Sequence, residues 1–406
     1  MRLTNKRALP LALLGGALYS GPAGARDIKL KPLIDARLRY EHVDQDGIAD
    51  PSDAVTMRIR TGVQAKTGPF SASVEAEATL AIAGDYYDGL NGRPLPLIAD
   101  PQNIELNRAQ IAYEKNGFTL IAGRQLLELG DQRFVGSSSW RQNQQTFDSV
   151  RVKWARGKFS VDAAYSWDVR TVNGIDGAGA RPRSVPGDNW FGQIAYATPI
   201  GTLSGFAYLV DQDLPALSGF RLSSQTYGAR FAGSHPVAKG WKLAYAASFA
   251  RQSNWRRNPN DYAASYYLGE VALAGPVWSA TVGYEVLGAD KGVALTSVQT
   301  PLASFFKFQG WAGKFGSTPP DGVRDLYGTV AGTWKSKGVL SGYGVAATYH
   351  RFASDRLVRL YGAEIDAIGF VKRGRYTLAA RVARYEAKRF ATDTTKFWLT
   401  LECLFN

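Results

Sequence analysis

Met57-Arg-Ile-Arg-Thr-Gly-Val-Gln-Ala-Lys66, then Thr67-Gly68-Pro69, then Phe70-Ser-Ala-Ser-Val-Glu-Ala-Glu-Ala-Thr-Leu80: these residues decide how the chain folds. Met57, Ile59, Thr61, Val63 and Ala65 share one face of the first run, opposite Arg58, Arg60, Gly62, Gln64 and Lys66. After the turn, Phe70, Ala72, Val74, Ala76, Ala78 and Leu80 oppose Ser71, Ser73, Glu75, Glu77 and Thr79. A period of two is the period of a β-strand. Two such runs joined by a glycine–proline turn form a hairpin. Alternation alone does not say whether the polar face meets bulk water or an enclosed lumen.

Outward from this hairpin, the unit of about ten alternating residues closed by a turn recurs along the chain, as in a membrane-spanning barrel. Short connections fall at 67–69, 115–117, 155–158, 198–201, 235–240, 274–276, 335–338 and 372–375. Longer polar ones lie near 43–53, 83–102, 127–145, 169–187, 252–261 and 288–322. One end is therefore all tight turns and the other all long loops, the asymmetry of periplasmic turns and extracellular loops. Phe70, Phe118, Trp154, Phe159, Trp241, Trp278, Trp334 and Tyr376 gather beside the short turns. Aromatic rings collect where a bilayer meets water; a soluble sandwich has no reason to place them all at one end. The spacing predicts an all-β, antiparallel transmembrane barrel of about eighteen strands, an even number as single-chain barrels have. Its last strand ends Phe397-Trp-Leu-Thr-Leu-Glu-Cys-Leu-Phe405-Asn406, with Phe397, Leu399, Leu401, Cys403 and Phe405 on one face.

The start of the chain fits export. Arg2, Lys6 and Arg7 precede a short apolar run, Leu9 to Leu18, and the small residues Ala23-Gly24-Ala25. This is the layout of a cleavable signal peptide over residues 1–25, which leaves 26–406 as a single barrel domain. With one cysteine in 406 residues, Cys403, there is no internal disulfide. The formal charge of +13 raises nucleic acid as a partner. The export signal and the scattering of the charges along strands argue against it.

A barrel of this size encloses water. Alternation places Arg37, Arg39, Arg58, Arg60, Arg108, Arg151, Arg230 and Arg381 on the lumen face, among acids that include Asp35, Glu75, Glu77, Asp162, Glu270, Glu285, Glu364 and Asp366. An excess of guanidinium groups favours anions and suits carboxylate-bearing solutes. The segment between strands near 124–151 is dense in arginine, aspartate and amides, with Asp131 and Arg133 at its centre, and is expected to fold into the lumen. Strict alternation puts Arg124 on the lipid side; a bulge at Gly123 would swing it inward.

The run Gly123-Arg124-Gln125-Leu-Leu-Glu-Leu-Gly130-Asp131-Gln132-Arg133-Phe134-Val135-Gly136, then Trp140-Arg141-Gln-Asn-Gln-Gln-Thr-Phe147-Asp148, resembles the signature of the alginate-export family of outer-membrane porins. Gln299-Thr-Pro301-Leu-Ala-Ser-Phe-Phe-Lys307-Phe-Gln-Gly310-Trp311-Ala-Gly-Lys-Phe315, followed by Pro319-Pro320-Asp321-Gly322 and Asp325, is similar as well. Phe306 and Gly313 stand where the family often has His and Asp. The resemblance implies a basic constriction passing polyuronates, with Arg124, Arg133, Asp148 and Arg151 as its candidate residues. Uptake of oligouronates or other small acids is equally compatible with it, as is a less selective porin or a non-conducting adhesive barrel.

Catalysis finds no support. Of the three histidines, His42 reads as lipid-facing near the rim, His235 as part of a short turn, and His350 as inward-facing near several acids. No serine–histidine–acid constellation or metal-ligand spacing emerges, and no cofactor is expected. The expected partners are membrane lipid and lipopolysaccharide around the barrel and an anionic saccharide inside it. The short turns are where a periplasmic export partner would dock.

Overall fold

The computed structural model describes residues 27–405, so the signal peptide read at 1–25 lies outside the described residues. The chain forms β1 (Lys29–Gln45), β2 (Ser52–Thr67), β3 (Phe70–Asp85), β4 (Asn103–Lys115), β5 (Phe118–Gln125) and β6 (Thr146–Arg156). It continues through β7 (Phe159–Arg170), β8 (Ser184–Thr198), β9 (Gly201–Val210), β10 (Ser224–Ala238), β11 (Trp241–Asn254) and β12 (Ala263–Ala274). β13 (Trp278–Leu287), β14 (Val323–Lys335), β15 (Gly342–Ala353), β16 (Leu360–Arg373), β17 (Tyr376–Ala387) and β18 (Thr394–Phe405) complete it. Each strand pairs antiparallel with its sequence neighbours, and β1 also pairs with β18, from Ile34 opposite Phe405 to Gln45 opposite Thr394. The eighteen-stranded sheet is thus closed and leaves no edge, the condition for strands to cross hydrocarbon.

Exposure resolves the ambiguity that periodicity leaves. Val74 (54%), Val282 (62%) and Ile365 (55%) are bared on the outer face, while Glu77 (0%) and Glu364 (1%) are buried on the inner one. A soluble protein does the reverse; here the apolar face meets lipid. Aromatics flank that band at both ends. Phe70, Phe159, Trp278 and Tyr376 lie beside the turns, and Trp190, Phe249, Tyr267 and Tyr349 lie near the loops.

Several strands run past their expected limits toward the loops: β1 reaches Gln45 rather than residue 42, and β8 begins at Ser184 rather than 187. At the opposite end His235 is paired with Leu243 within β10, not placed in a turn, because the connection tightens to Lys239-Gly240. His42 keeps its outward position and shares a hydrogen bond of 2.9 Å with Asp53.

Candidate functional site

Two loops enter the barrel and hold each other there. The β5–β6 loop (126–145) first packs Leu127, Leu129 and Val135 against Phe191, Tyr208 and Val210 of the inner wall. It then reaches the inner faces of β2 and β3, where Gln142 Nε2 donates to Thr56 Oγ1 (2.8 Å) and the Gln144 amide donates to Glu77 Oε1 (3.0 Å). The β13–β14 loop (288–322) comes from the other direction. Val135 and Leu302 form a parallel bridge, the Ser304 amide donates to the Gln132 carbonyl (3.1 Å), and Lys307 Nζ donates to the Asp131 carbonyl (2.9 Å). Beyond this contact, the Trp311 and Ala312 amides donate to Asp366 (3.2 Å) and Glu364 (2.7 Å) on β16. Gly310, at φ +79°, permits that approach, since a Cβ there would collide with the Glu364 carboxylate.

Trp140 sits where the two loops and the wall meet. Its ring stacks on Phe306 (5.4 Å) and Trp311 (5.8 Å) and stands edge-on to Trp398 of β18 (5.7 Å). The guanidinium of Arg381 lies 4.8 Å from its centroid and that of Arg39 5.4 Å. Such contacts are each worth about 0.5–2 kcal/mol, so the group fixes the loop contact rather than merely filling space.

The arginines expected in the lumen are there, though mostly not as open pore lining. Arg37 donates to Glu402 (2.6 Å) and to the Trp140 and Arg141 carbonyls (both 3.1 Å). Arg39 reaches Asp100 (3.4 Å) and the Trp140 carbonyl (2.9 Å). Arg58 pairs with Asp35 and Arg60 with Glu77. Arg39, Arg58, Arg60 and Arg133 are buried, the last bonded to Glu285 (2.8 Å). Their expected role as open lining is therefore corrected: Arg39, Arg58 and Arg60 are buried on the wall and Arg133 within the loop contact, where their bonds hold wall and loops together. Arg108 grips Glu75 through two bonds (2.9 and 2.6 Å), and Arg151 grips Asp162 likewise (2.8 and 2.6 Å). Arg230 pairs with Asp131 (2.9 Å) at the wall of an inner cavity. Among the described residues, Arg381 alone of the ten expected arginines has no carboxylate within ion-pair distance.

Arg124 and Asp148 do not join this set. They are directly opposite on β5 and β6 and joined by two bonds (2.7 and 2.8 Å). β5 runs without a register break against both neighbours, so Arg124 keeps the outward parity of Leu120 and Ala122. Gly123 is required by its φ of +114° and by the Ala109 carbonyl, which a Cβ would strike, and not by a bulge.

The open space beside the loop contact is a cavity of about 280 Å³. Phe308 and Trp311 line it, with Lys307, Arg230 and His350 as its basic groups and Asp131, Glu270, Glu285, Asp325 and Asp366 as its acids. His350 Nδ1 lies 2.9 Å from Asp325. Sequence reasoning missed Trp140, Phe306, Lys307, Trp311 and Asp325 as functional positions. The signal for the aromatics was there: large rings in loops otherwise made of polar and small residues. Among the described residues no group of acids, histidines or cysteine is arranged to hold a metal ion.

Residues 34–173 match the model of the alginate export family, in the region where the loop motif carried the resemblance. The barrel superposes on OpdQ of Pseudomonas aeruginosa (TM-score 0.66, 12% identity, 93% of this chain and 98% of that one). OccK9 (OpdG) of the same organism gives 0.68 at 14% identity over 93% and 98%, and OccAB1 of Acinetobacter baumannii 0.64 at 13% over 93% and 97%. Over about a third of its length the chain is similar to the alginate export family, and as a whole it has the fold of an outer-membrane porin. None of the curated proteins matches it. At these identities the solved structures speak for the fold, an outer-membrane β-barrel, and leave solute and selectivity to the chemistry of the inner face.

Proposed function

We propose that the porin gives acidic saccharides, alginate-like polyuronates or oligouronates, a passive, anion-favouring path past the contact of its two inner loops. The observation that carries this reading is the aromatic stack of Trp140, Phe306 and Trp311 with cations around it. Flat apolar rings offer a surface to the C–H face of a sugar, and a nearby cation answers a uronate carboxylate. Arg381 supports the reading most, because its charge is not already spent on a protein carboxylate, and Lys307 is exposed at the cavity. A periplasmic export partner at the short turns would extend this reading to export; without one the pore follows the gradient.

A second reading has its own observation. The cavity wall on β12–β16 carries Glu270, Glu285, Asp325 and Asp366 against few bases. That favours small solutes bearing a positive charge, as in a less selective porin. Single-channel recording of the refolded protein under a salt gradient separates the two. Anion preference with block by oligouronates, weakened by Arg381→Ala, supports the first reading. Cation preference with indifference to uronates refutes it and leaves the second.

A further inference from the structure

We propose that the outer face of β11–β17, at the loop edge of the apolar band, binds the phosphates of a glycolipid of the outer leaflet. The argument rests on parity and pairing. On β11 the exposed Phe249 and Arg251 alternate with the buried, inward Ala250 and Gln252; on β15 the exposed Tyr349 and Arg351 alternate with the buried His350 and Phe352. Arg324 on β14 and Arg384 on β17 share the outward faces of Leu326 and Val382. Arg351 is opposite Leu326, and Arg324 stands two positions from it, so these two guanidinium groups occupy adjacent strands.

All four lie on the loop side of exposed lipid-facing residues, where hydrocarbon gives way to headgroups. Arg324 is bonded to Asp355 (2.9 Å) and Arg384 faces Glu386 (3.3 Å). Arg251 has only the Ser265 hydroxyl (2.8 Å), and Arg351 has no side-chain bond or ion pair among the described residues. The other half of the same rim carries Asp53, Asp148, Asp168 and Asp188 on β2, β6, β7 and β8, and the arginines that reach it are already taken: Arg124 is held by Asp148 and Arg256 by Asp188. A lipid with phosphates therefore has one favoured side of the barrel.

An unpaired guanidinium at the edge of an apolar surface keeps its stem on hydrocarbon and presents a planar fork to an anion. Phosphate is an anion that fork fits, often through two parallel bonds. Tyr267, Tyr284 and Tyr349 supply exposed rings just below for the acyl chains. Free phosphate carries the same headgroup chemistry but lacks the chains that would use those rings.

Native mass spectrometry of the refolded, full-length barrel in detergent tests this, with diphosphoryl lipid A, its dephosphorylated form and inorganic phosphate as parallel titrants. The expected result is about tenfold weaker diphosphoryl lipid binding in Arg251→Gln/Arg351→Gln, with binding of the dephosphorylated lipid unchanged. Arg124→Gln, on the other half, is expected to bind like the native chain. Native-like binding by the double variant overturns the proposal, as does an equal loss in Arg124→Gln. Inorganic phosphate saturating the same site as tightly as the lipid shows a free-anion site and overturns it too. Heat-modifiable gel mobility confirms that each variant is folded before it is titrated.

Discussion

Removing the Arg133 side chain tests whether the inner loops are held by buried charge. Arg133 (2% exposed) bonds Glu285 (3% exposed) at 2.8 Å, donates to Thr300 (3.2 Å), and lies 4.9 Å from the Phe308 ring. It therefore ties the β5–β6 loop to β13 and to the β13–β14 loop at once. Breaking one side of a buried ion pair costs about 3–5 kcal/mol, because the remaining charge loses its partner. Glu285 would keep the Tyr266 hydroxyl at 2.9 Å, which puts Arg133→Met at the lower end, about 3 kcal/mol. That changes the balance between docked and undocked loop by about two orders of magnitude. Single-channel traces of Arg133→Met are expected to show flicker to a higher-conductance level absent from the native protein. The double variant Arg133→Met/Glu285→Gln removes the stranded charge and is expected to recover much of the quiet behaviour. Native-like traces from the single variant, with its fold intact, would refute the claim that this pair holds the constriction.

Trp140→Ala removes the ring shared by both loops and the wall; solute block and resting conductance are both expected to change in planar-bilayer recordings, with the barrel still heat-modifiable on gels. Arg124→Ala is expected to leave ion selectivity within error, since its pair with Asp148 lies on the outer face, away from the lumen. Burial, reinforced by the nearby Lys396 and opposed by Glu364 and Asp393, pushes Lys314 in the β13–β14 loop down to about 8. The ammonium is charged below that value and neutral above it, so anion preference is expected to fall as reversal potentials are measured from pH 7 to 9. Lys314→Met should flatten that change. Because the folded value is below the ordinary 10.5, this group's burial penalty is relieved as pH rises through 8 toward 10.5 and returns on acidification.

The barrel was legible because the physics that dictates it is local. Met57–Lys66 and Phe70–Leu80 alternate so regularly that only the sign of the inside remained open, and turn length and aromatic position supplied it. Strand ends were less legible, as at His235, because nothing in a single strand marks where pairing with its neighbour stops. The constriction depends on contacts across the lumen, and these have no sequence period. Val135 meets Leu302 and Arg133 meets Glu285 across more than a hundred intervening residues. Arg124 misled for a related reason. Gly123 looked like a bulge, but its conformation is demanded by the neighbouring Ala109 carbonyl, and strict alternation had already placed Arg124 correctly.

Charge counting did not show how the cations are paired, and that bears on function. A basic excess predicts anion preference only if the cations face solvent unpaired. Among the described residues, every expected lumen arginine except Arg381 has a carboxylate at hand, and several are buried. A paired guanidinium adds little field to the path, since its partner cancels it within a few ångströms. On the proposed reading, a solute meets the remainder: Arg381 and Lys307 near the aromatic stack, and a carboxylate wall on β12–β16. Selectivity should therefore follow these few groups and not the formal charge. Arg381→Ala should move the reversal potential more than Arg58→Ala, although both remove one positive charge from the inner wall. Equal shifts would mean that the total charge governs permeation after all.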